Sequence, residues 1–225
     1  MYKFREAKRI QQSFLADVEK KTLVWLAERM PAWVNPDHLT GLGLLGMLGA
    51  GMSYIAARWY TAGLLGVIVG LILNWFGDSL DGTLARVRNR PRPRYGFYID
   101  HVVDAFSALF LLGGLALSGY INGWIAVGLL IAYFMISIEV YLATYTLGTF
   151  QISFYKFSPT ELRILLAIGN LYLFFRPVVH IFHSEWKLFD IGGTIGIIGM
   201  WAIFLISCFK NGRTLYKREP LIVSS

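Results

Sequence analysis

The sequence is poor in charge and in cysteine. Charged residues make up 16% of the 225 residues, whereas soluble chains carry about 25%. Hydrophobic residues make up 56%, and mean hydropathy is +0.52. This composition excludes a water-soluble single domain and a disordered chain. The single cysteine, Cys208, excludes an internal disulfide framework and leaves the redox compartment unreadable.

Six apolar segments run through the chain, each about the length that crosses a bilayer core. They lie near residues 39–58, 62–86, 95–118, 121–148, 159–182 and 188–209. The short links between some of them favour antiparallel neighbours. We therefore expect an all-α polytopic membrane protein whose six transmembrane helices form one domain over residues 37–225.

Residues 4–30 precede these segments and mix apolar with charged positions. The apolar residues recur near helical spacing: Ile10, Phe14, Val18, Trp25 and Leu26. This pattern predicts an amphipathic helix on the membrane surface, so that residues 1–36 form a juxtamembrane helix and linker. The first forty residues have no short apolar core before a small-residue site, and we expect no cleavable signal peptide.

The basic residues predict an orientation. With the N-terminus in the cytoplasm, nearly all of the 21 lysines and arginines lie on the inner side, and only Arg58, Arg176 and Lys187 lie outside. Both termini are then cytoplasmic, in the plasma membrane if the chain is bacterial. In a membrane protein, the net charge of +7 indicates cytoplasmic loops and anionic lipid heads as partners rather than nucleic acid.

Several glycines lie within the apolar segments. Gly41, Gly43 and Gly46 match the pattern G-x-G-x-x-G, but they open an apolar span and follow no strand, which excludes a dinucleotide site. Together with Gly66–Gly70 and Gly192–Gly196, they are expected to let helices approach closely.

Four aspartates lie where the second segment ends and the third begins. Asp78 and Asp81 are three residues apart, and Asp100 and Asp104 are four apart, so each pair shares one helix face. The short loop between the segments lets the two faces meet. Converging carboxylates repel one another unless some are protonated or cations lie among them, and oxygen ligands favour Mg²⁺ or Mn²⁺. The alternative is that these acids pair with the arginines of residues 86–94.

Small residues accompany the acids. Gly82, Ala85 and Gly96 leave room for a flat group against the helix backbone, and Arg86 could hold a phosphate oxygen. The full pattern, Asp78-x2-Asp81-Gly82-x2-Ala85-Arg86-x9-Gly96-x3-Asp100-x3-Asp104, resembles the signature of the CDP-alcohol phosphotransferases. All eight positions are present, and the loop before Gly96 is one residue longer than the commonest form.

The resemblance implies transfer of a substituted phosphate from a CDP-linked donor to a second alcohol, with CMP as the leaving group. It implies that two Mg²⁺ or Mn²⁺ ions are held by Asp78, Asp81 and Asp100, with help from Asp104. Asp104 would also be the general base on the acceptor hydroxyl. Gly82, Ala85 and Gly96, together with Asp81, would line the cytidine pocket, with Arg86 near the pyrophosphate. Members commonly form homodimers.

CDP-diacylglycerol is the expected donor, with a small alcohol as acceptor. The reaction of CDP-choline or CDP-ethanolamine with diacylglycerol uses the same motif and stays open. An intramembrane prenyltransferase or a carboxylate-based cation transporter would also use intramembrane acids. Prenyltransferase motifs lack the Gly-x2-Ala-Arg residues that follow Asp81, and transporters often show internal repeats, whereas this sequence has no clear repeat and its acids cluster at one surface.

Several other polar residues have more than one interpretation. Asn74, one turn before Asp78, orients a ligand or bonds a neighbouring helix. Glu139, deep in the fourth segment, pairs with a partner or lines the cavity. The basic loop at 86–94 binds a phosphorylated acceptor, binds lipid heads or serves topology alone. Helix geometry turns His101 about 100° from Asp100, which disfavours it as a base. The remaining candidates for acceptor binding are Lys156, Ser158, Thr160, Glu161 and Arg163.

Overall fold

The computed structural model describes residues 8–10, 16–151, 159–176, 179–181 and 184–219. Nearly all of them are helical, which confirms the all-α class. The helices are α1 (Ala16–Glu28), α2 (Pro36–Ala57), α3 (Gly63–Val87), α4 (Pro93–Ser118), α5 (Gly123–Leu147), α6 (Pro159–Phe175) and α7 (Leu188–Arg218). The described residues also include four strands of three residues each. Strand β1 (Lys8–Ile10) precedes α1, and β2 (Thr149–Gln151), β3 (Val179–Ile181) and β4 (Ser184–Trp186) lie between later helices. Strand β1 pairs parallel with β2, and β3 pairs antiparallel with β4.

Within the described residues, five helices are long and apolar enough to cross a membrane: α2, α3, α4, α5 and α7. The first four predicted segments agree with α2 to α5 to within three residues. Helix α6 has 17 residues. At 1.5 Å per residue it is about 26 Å long, which is shorter than a hydrocarbon core of about 30 Å. The predicted six spans are therefore not confirmed.

Two predicted segments end elsewhere than expected. The segment at 159–182 is helical only to Phe175, and residues 179–181 form a strand. Pro177 follows Arg176 in the sequence, and a proline disfavours helical geometry in the residue before it. The last segment continues as helix nine residues beyond 209, to Arg218. Lysine and arginine are good helix formers, and residues 210–218 contain no proline.

The N-terminal helix is shorter than predicted and packs by a different face. Residues 8–10 form a strand, and α1 begins only at Ala16. Val18 and Trp25, which were assigned to its apolar face, are exposed. Leu23 and Ala27 are buried instead, in a cluster that also contains Leu80 and Leu84 of α3. These are two pairs of residues one helical turn apart, so they form matching stripes on the two helices.

Glycines bring α2, α3 and α4 into backbone contact. A methyl group added at Gly46 would lie 2.8 Å from the Gly70 carbonyl oxygen, and one at Gly51 would lie 2.2 Å from the Phe110 carbonyl oxygen. The expected close approach is thus confirmed for this part of the bundle. It is wrong for Gly41 and Gly192, because no described atom lies within 4 Å of a methyl group added at either position.

Candidate active site

The four aspartates come together where α3 ends and α4 begins. Asp78 and Asp81 lie in the last three turns of α3, and Asp100 and Asp104 lie in the first three turns of α4. All four are half-buried. The charges of Asp78, Asp81 and Asp100 act on the Asp104 carboxylate. The two acidic helix faces therefore share one electrostatic environment.

Asp100, Asp104 and His101 offer ligand atoms that lie within 4.8 Å of one another. Because Mg²⁺–oxygen bonds are about 2.1 Å long, ligands on opposite sides of one ion are about 4.2 Å apart. A small adjustment would let this group share a cation. His101 reaches the group although the helix turns it away from Asp100. Its ring is stacked on Tyr141 of α5, with 4.5 Å between ring centroids, and lies 4.1 Å from the ring of Phe97.

Asp81 is oriented by donors on both of its oxygens. The Thr40 hydroxyl of α2 lies 2.5 Å from one oxygen, and the Gly82 backbone N–H donates to the other at 2.5 Å. The same hydroxyl also lies 3.1 Å from the Pro36 carbonyl oxygen. Thr40 has one proton, so it donates to one acceptor at a time. Helix α2 therefore holds an acid of α3 in place.

Asp78 forms an ion pair with Arg163 of α6. The guanidinium is largely buried, with 14% of the side chain exposed. Its Nε–H donates to Asn74 Oδ1 at 2.8 Å, and Asn74 Nδ2 donates to the Gly43 carbonyl oxygen at 3.2 Å. The partner of Asp78 is therefore an arginine 85 residues away in the sequence rather than a loop arginine.

Glu19 of α1 is hydrogen-bonded to both α3 and α6. One of its oxygens accepts from Trp75 Nε1 at 2.8 Å and from the Thr160 hydroxyl at 2.7 Å. Thr160, a candidate for acceptor binding, thus connects α6 to α1. Lys156 and Ser158, two other candidates, lie outside the described residues.

Of the small residues next to the acids, Gly82 lies beside the Arg86 guanidinium, and Gly96 borders open space. Arg86 Nη2 donates to the Thr83 hydroxyl at 3.1 Å, and a methyl group added at Gly82 would lie 3.4 Å from Arg86 Nη1. Ala85 is half-buried in the same turn. Gly96 is exposed in the first turn of α4, and no described atom lies within 4 Å of a methyl group added there.

Two arginines of the basic loop have structural contacts. The Arg88 guanidinium donates to the carbonyl oxygens of Met30, Pro31 and Val34 in the link between α1 and α2. Arg92 forms an ion pair with Asp37, and its guanidinium lies 4.2 Å from the centre of the Tyr95 ring. The loop therefore anchors the start of α2.

Glu139, an acid within an apolar helix, has a hydrogen-bond partner. Asn211 Nδ2 of α7 donates to Glu139 Oε1 at 2.6 Å. The pair links α5 to α7, and the sequence alone did not identify it.

Comparison with known proteins gives a family match. The model of the family described as CDP-alcohol phosphatidyltransferase matches residues 33–207, which include all eight signature positions. Cholinephosphotransferase 1 of Gallus gallus is 27% identical over 208 residues, which cover 85% of this chain and 59% of that protein. Archaetidylinositol phosphate synthase of Pyrococcus horikoshii is 30% identical over 104 residues, 46% of this chain and 52% of that protein. Cholinephosphotransferase 1 of Xenopus laevis is 30% identical over 153 residues, 64% of this chain and 37% of that protein. The chain spans about half the length of the curated relatives that it matches.

Proposed function

Because this chain belongs to the CDP-alcohol phosphatidyltransferase family, we propose that it transfers a substituted phosphate from a CDP-linked donor to the hydroxyl of a second alcohol and releases CMP. The observation that carries the proposal is the convergence of four aspartates at the junction of α3 and α4. The family match gives no support to the prenyltransferase and transporter alternatives.

The donor set suits hard divalent cations. Asp78, Asp81, Asp100 and Asp104 supply oxygens, and oxygen ligands are those that Mg²⁺ and Mn²⁺ prefer. These four residues would hold two such ions, which when bound would neutralise the diphosphate and improve CMP as a leaving group. Thr40 and the Gly82 N–H already orient the Asp81 carboxylate for this role.

Asp104 is the proposed general base. The acceptor oxygen forms a bond to the donor phosphorus that bears the substituent, and the bond from this phosphorus to the CMP oxygen breaks. The hydroxyl proton passes to the Asp104 carboxylate, which must lie within hydrogen-bond reach of it. Asp104 lies one turn from Asp100 and among the charges of the other acids, so it adjoins the site at which the diphosphate would bind.

The cytidine and the diphosphate are assigned to the neighbouring residues. Gly82, Ala85 and Gly96 would line the nucleotide pocket next to Asp81, because a flat ring needs helix surface without bulky side chains. Arg86 would donate to a phosphate oxygen. The open space at Gly96 supports this assignment.

The first donor that we propose is CDP-diacylglycerol, with a small alcohol as acceptor. A second candidate reaction has CDP-choline or CDP-ethanolamine as donor and diacylglycerol as acceptor. The alignment with a cholinephosphotransferase over 85% of this chain favours this second reaction. In both reactions one substrate is a lipid and the other is water-soluble, which suits a site at the end of apolar helices.

The proposed setting is a membrane. The termini and the active site would lie on the cytoplasmic side, as the distribution of basic residues favours, with α1 along the surface. Membrane lipids surround the chain, and a homodimer is the proposed assembly.

The test is release of CMP by the full chain purified in detergent. CDP-diacylglycerol and Mg²⁺ are supplied with each acceptor singly (serine, glycerol phosphate, inositol or inositol phosphate). CDP-choline and CDP-ethanolamine are then supplied with diacylglycerol. We expect release with one combination and none in EDTA. A folded protein that releases no CMP with any combination would contradict the proposal.

The variant Asp104→Asn separates the base from the rest of the site. We expect it to fold and to bind CDP, but to lose at least about a hundredfold in turnover, as is usual when a general base is removed. Near-normal turnover would show that Asp104 is not the base. Asp81→Asn should instead raise the Mg²⁺ concentration needed for half-maximal rate.

A further inference from the structure

Asn74 of α3 lies between a backbone carbonyl and the buried arginine of the site. Its side chain is almost fully buried, with 3% of the residue exposed. The amide nitrogen donates to the Gly43 carbonyl oxygen at 3.2 Å, and the amide oxygen accepts from Arg163 Nε at 2.8 Å. Asn74 and Asp78 are one turn apart, so the residue that holds the guanidinium and the acid that pairs with it share one face of α3.

The contact to Gly43 sets the orientation of the amide. A carbonyl oxygen can only accept, so the nitrogen of Asn74 must point to Gly43 and the oxygen must point to Arg163. The carbonyl is held within reach because α2 and α3 are in close contact there. A methyl group at Gly43 would lie 3.3 Å from the Asp78 backbone nitrogen and 3.5 Å from the Asn74 carbonyl oxygen.

Arg163 keeps donors for a ligand. A guanidinium carries five N–H groups, and among the described residues two of them are used, one to Asn74 and one to Asp78. The remaining N–H groups lie beside the acid that would bind a cation and the diphosphate. Planar donors in this position match the geometry of phosphate oxygens.

We propose that Asn74 is a positioning residue, which holds Arg163 in the orientation that binds the phosphate oxygens of the CDP-linked donor beside Asp78. This inference rests on the proposed phosphotransfer. Without the bond to Asn74, the long arginine side chain would sample other rotamers, and each binding event would have to order it again. Asn74 therefore acts on donor binding through Arg163, and it has no contact of its own with the substrate.

The competing explanation is that Asn74 only joins α2 to α3 through Gly43. A double-mutant cycle separates the two explanations, because coupling appears only between residues that act together. Arg163→Lys keeps a positive charge near Asp78 but lacks the Nε–H that donates to Asn74. If Asn74 acts through Arg163, its replacement matters only while residue 163 is arginine.

The experiment compares the wild type, Asn74→Ala, Arg163→Lys and the double variant, each as the full chain in detergent. We expect Asn74→Ala to raise the KM for the donor about tenfold with a smaller change in kcat, which is the size expected for one hydrogen bond to a charged group. Calorimetric titration with CDP in Mg²⁺ should show the same loss of affinity. In the Arg163→Lys background, Asn74→Ala should change either quantity less than about twofold.

A matched control is Asn170→Ala. Asn170 is another buried asparagine that joins two helices, since its amide nitrogen donates to the Tyr54 hydroxyl of α2 at 2.8 Å. Among the described residues, its hydrogen bonds go to Tyr54 and Leu166 and not to Arg163 or the four aspartates. We expect this variant to lower the unfolding temperature and to leave the donor KM unchanged. A similar rise of KM in Asn170→Ala would assign the effect of Asn74 to packing.

Two outcomes would overturn the proposal. One is an unchanged donor KM and CDP affinity in Asn74→Ala; the other is an equal loss in both backgrounds. If Asn74→Ala does not fold, Asn74→Ser takes its place in the cycle, because it also removes the amide oxygen that accepts from Arg163, and the same pattern of donor KM is expected. If the wild type releases no CMP at all, the proposed function fails, and the role of Asn74 is then judged on CDP affinity alone.

Discussion

The α2–α3–α4 part of the bundle and the α5–α7 part are held together differently. In the first, methyl groups added at glycines would meet backbone atoms: Gly70 against the Gly46 carbonyl oxygen at 2.5 Å, and Gly114 against the Gly51 carbonyl oxygen at 2.2 Å. In the second, a methyl group at Gly196 would meet the end of the Leu129 side chain at 3.1 Å. One polar link in this second part is the pair of Glu139 and Asn211.

The difference shows that the helices that carry the four aspartates are held more rigidly than α5 and α7. Backbone atoms cannot change rotamer, whereas the ends of isoleucine and leucine side chains can. The four aspartates stand on α3 and α4, in the part with backbone contacts, so their spacing is set by helices that cannot easily shift. Arg163 comes from α6 and reaches the site through polar contacts to Asn74 and Asp78.

The largest expected effect tests this comparison directly. Gly51→Ala puts a methyl group 2.2 Å from the Phe110 carbonyl oxygen, so that α2 and α4 must separate. We expect a loss of about 3 kcal/mol or more, at the upper end of overpacking costs. Gly196→Ala, whose added methyl group meets the end of the Leu129 side chain, should cost less than about 1 kcal/mol. Thermal unfolding in detergent measures both, and equal losses would contradict the comparison.

Gly96→Ala changes a glycine of α4 that makes no packing contact with a described residue. No described atom lies within 4 Å of the added methyl group, so stability should be unchanged or slightly raised by better helix propensity. If the nucleotide lies against this glycine, CMP release should fall at least about tenfold. Gly113→Ala is the matched control, since Gly113 lies on the same helix and also faces open space. Full activity of Gly96→Ala would remove Gly96 from the nucleotide pocket.

Asn211→Ala measures how much the α5–α7 part depends on its polar link. Removal of the amide leaves Glu139 without this donor at a half-buried position, at a cost of about 1–2 kcal/mol. Glu139→Gln keeps an oxygen that can accept from Asn211, and it should stay closer to the wild type in the same unfolding measurement. A larger loss in Glu139→Gln than in Asn211→Ala would mean that the charge itself is needed.

Arg92→Ala should have the smallest effect. The ion pair between Arg92 and Asp37 is about half exposed on both sides, and exposed pairs contribute less than about 1 kcal/mol. Arg88→Ala removes donors to three backbone carbonyls from the same loop and should cost more. The unfolding temperature should therefore fall further in Arg88→Ala than in Arg92→Ala. The reverse order would show that the loop does not anchor α2 through Arg88.

Much of the spacing along the chain was predictable from the sequence. The apolar runs predicted α2 to α5 because their lengths match a membrane span. The i, i+3 and i, i+4 spacings predicted which aspartates share a face, and the short loop predicted that the two faces meet. These features depend only on local geometry.

Contacts between distant helices were not predictable in the same way. Helices α2 and α5 are apolar on all sides, so no apolar stripe determines how each helix is rotated about its axis. The pairs His101–Tyr141 and Glu139–Asn211 depend on the rotation of α5. The contact of α1 with α3 was not predictable either, because several apolar residues of α1 were available for it and only the structure shows that Leu23 and Ala27 make it.

The bond between Glu19 and Thr160 has a consequence for biosynthesis. The two residues are 141 positions apart. At about 5–20 residues per second, the ribosome reaches Thr160 roughly ten seconds after Glu19. During this interval α1 can pack on α3, but its carboxylate has yet to meet its last partner. Completion of this corner of the protein therefore requires the synthesis of α6, and a chain that stalls before α6 would present an unfinished N-terminal corner to quality-control proteases.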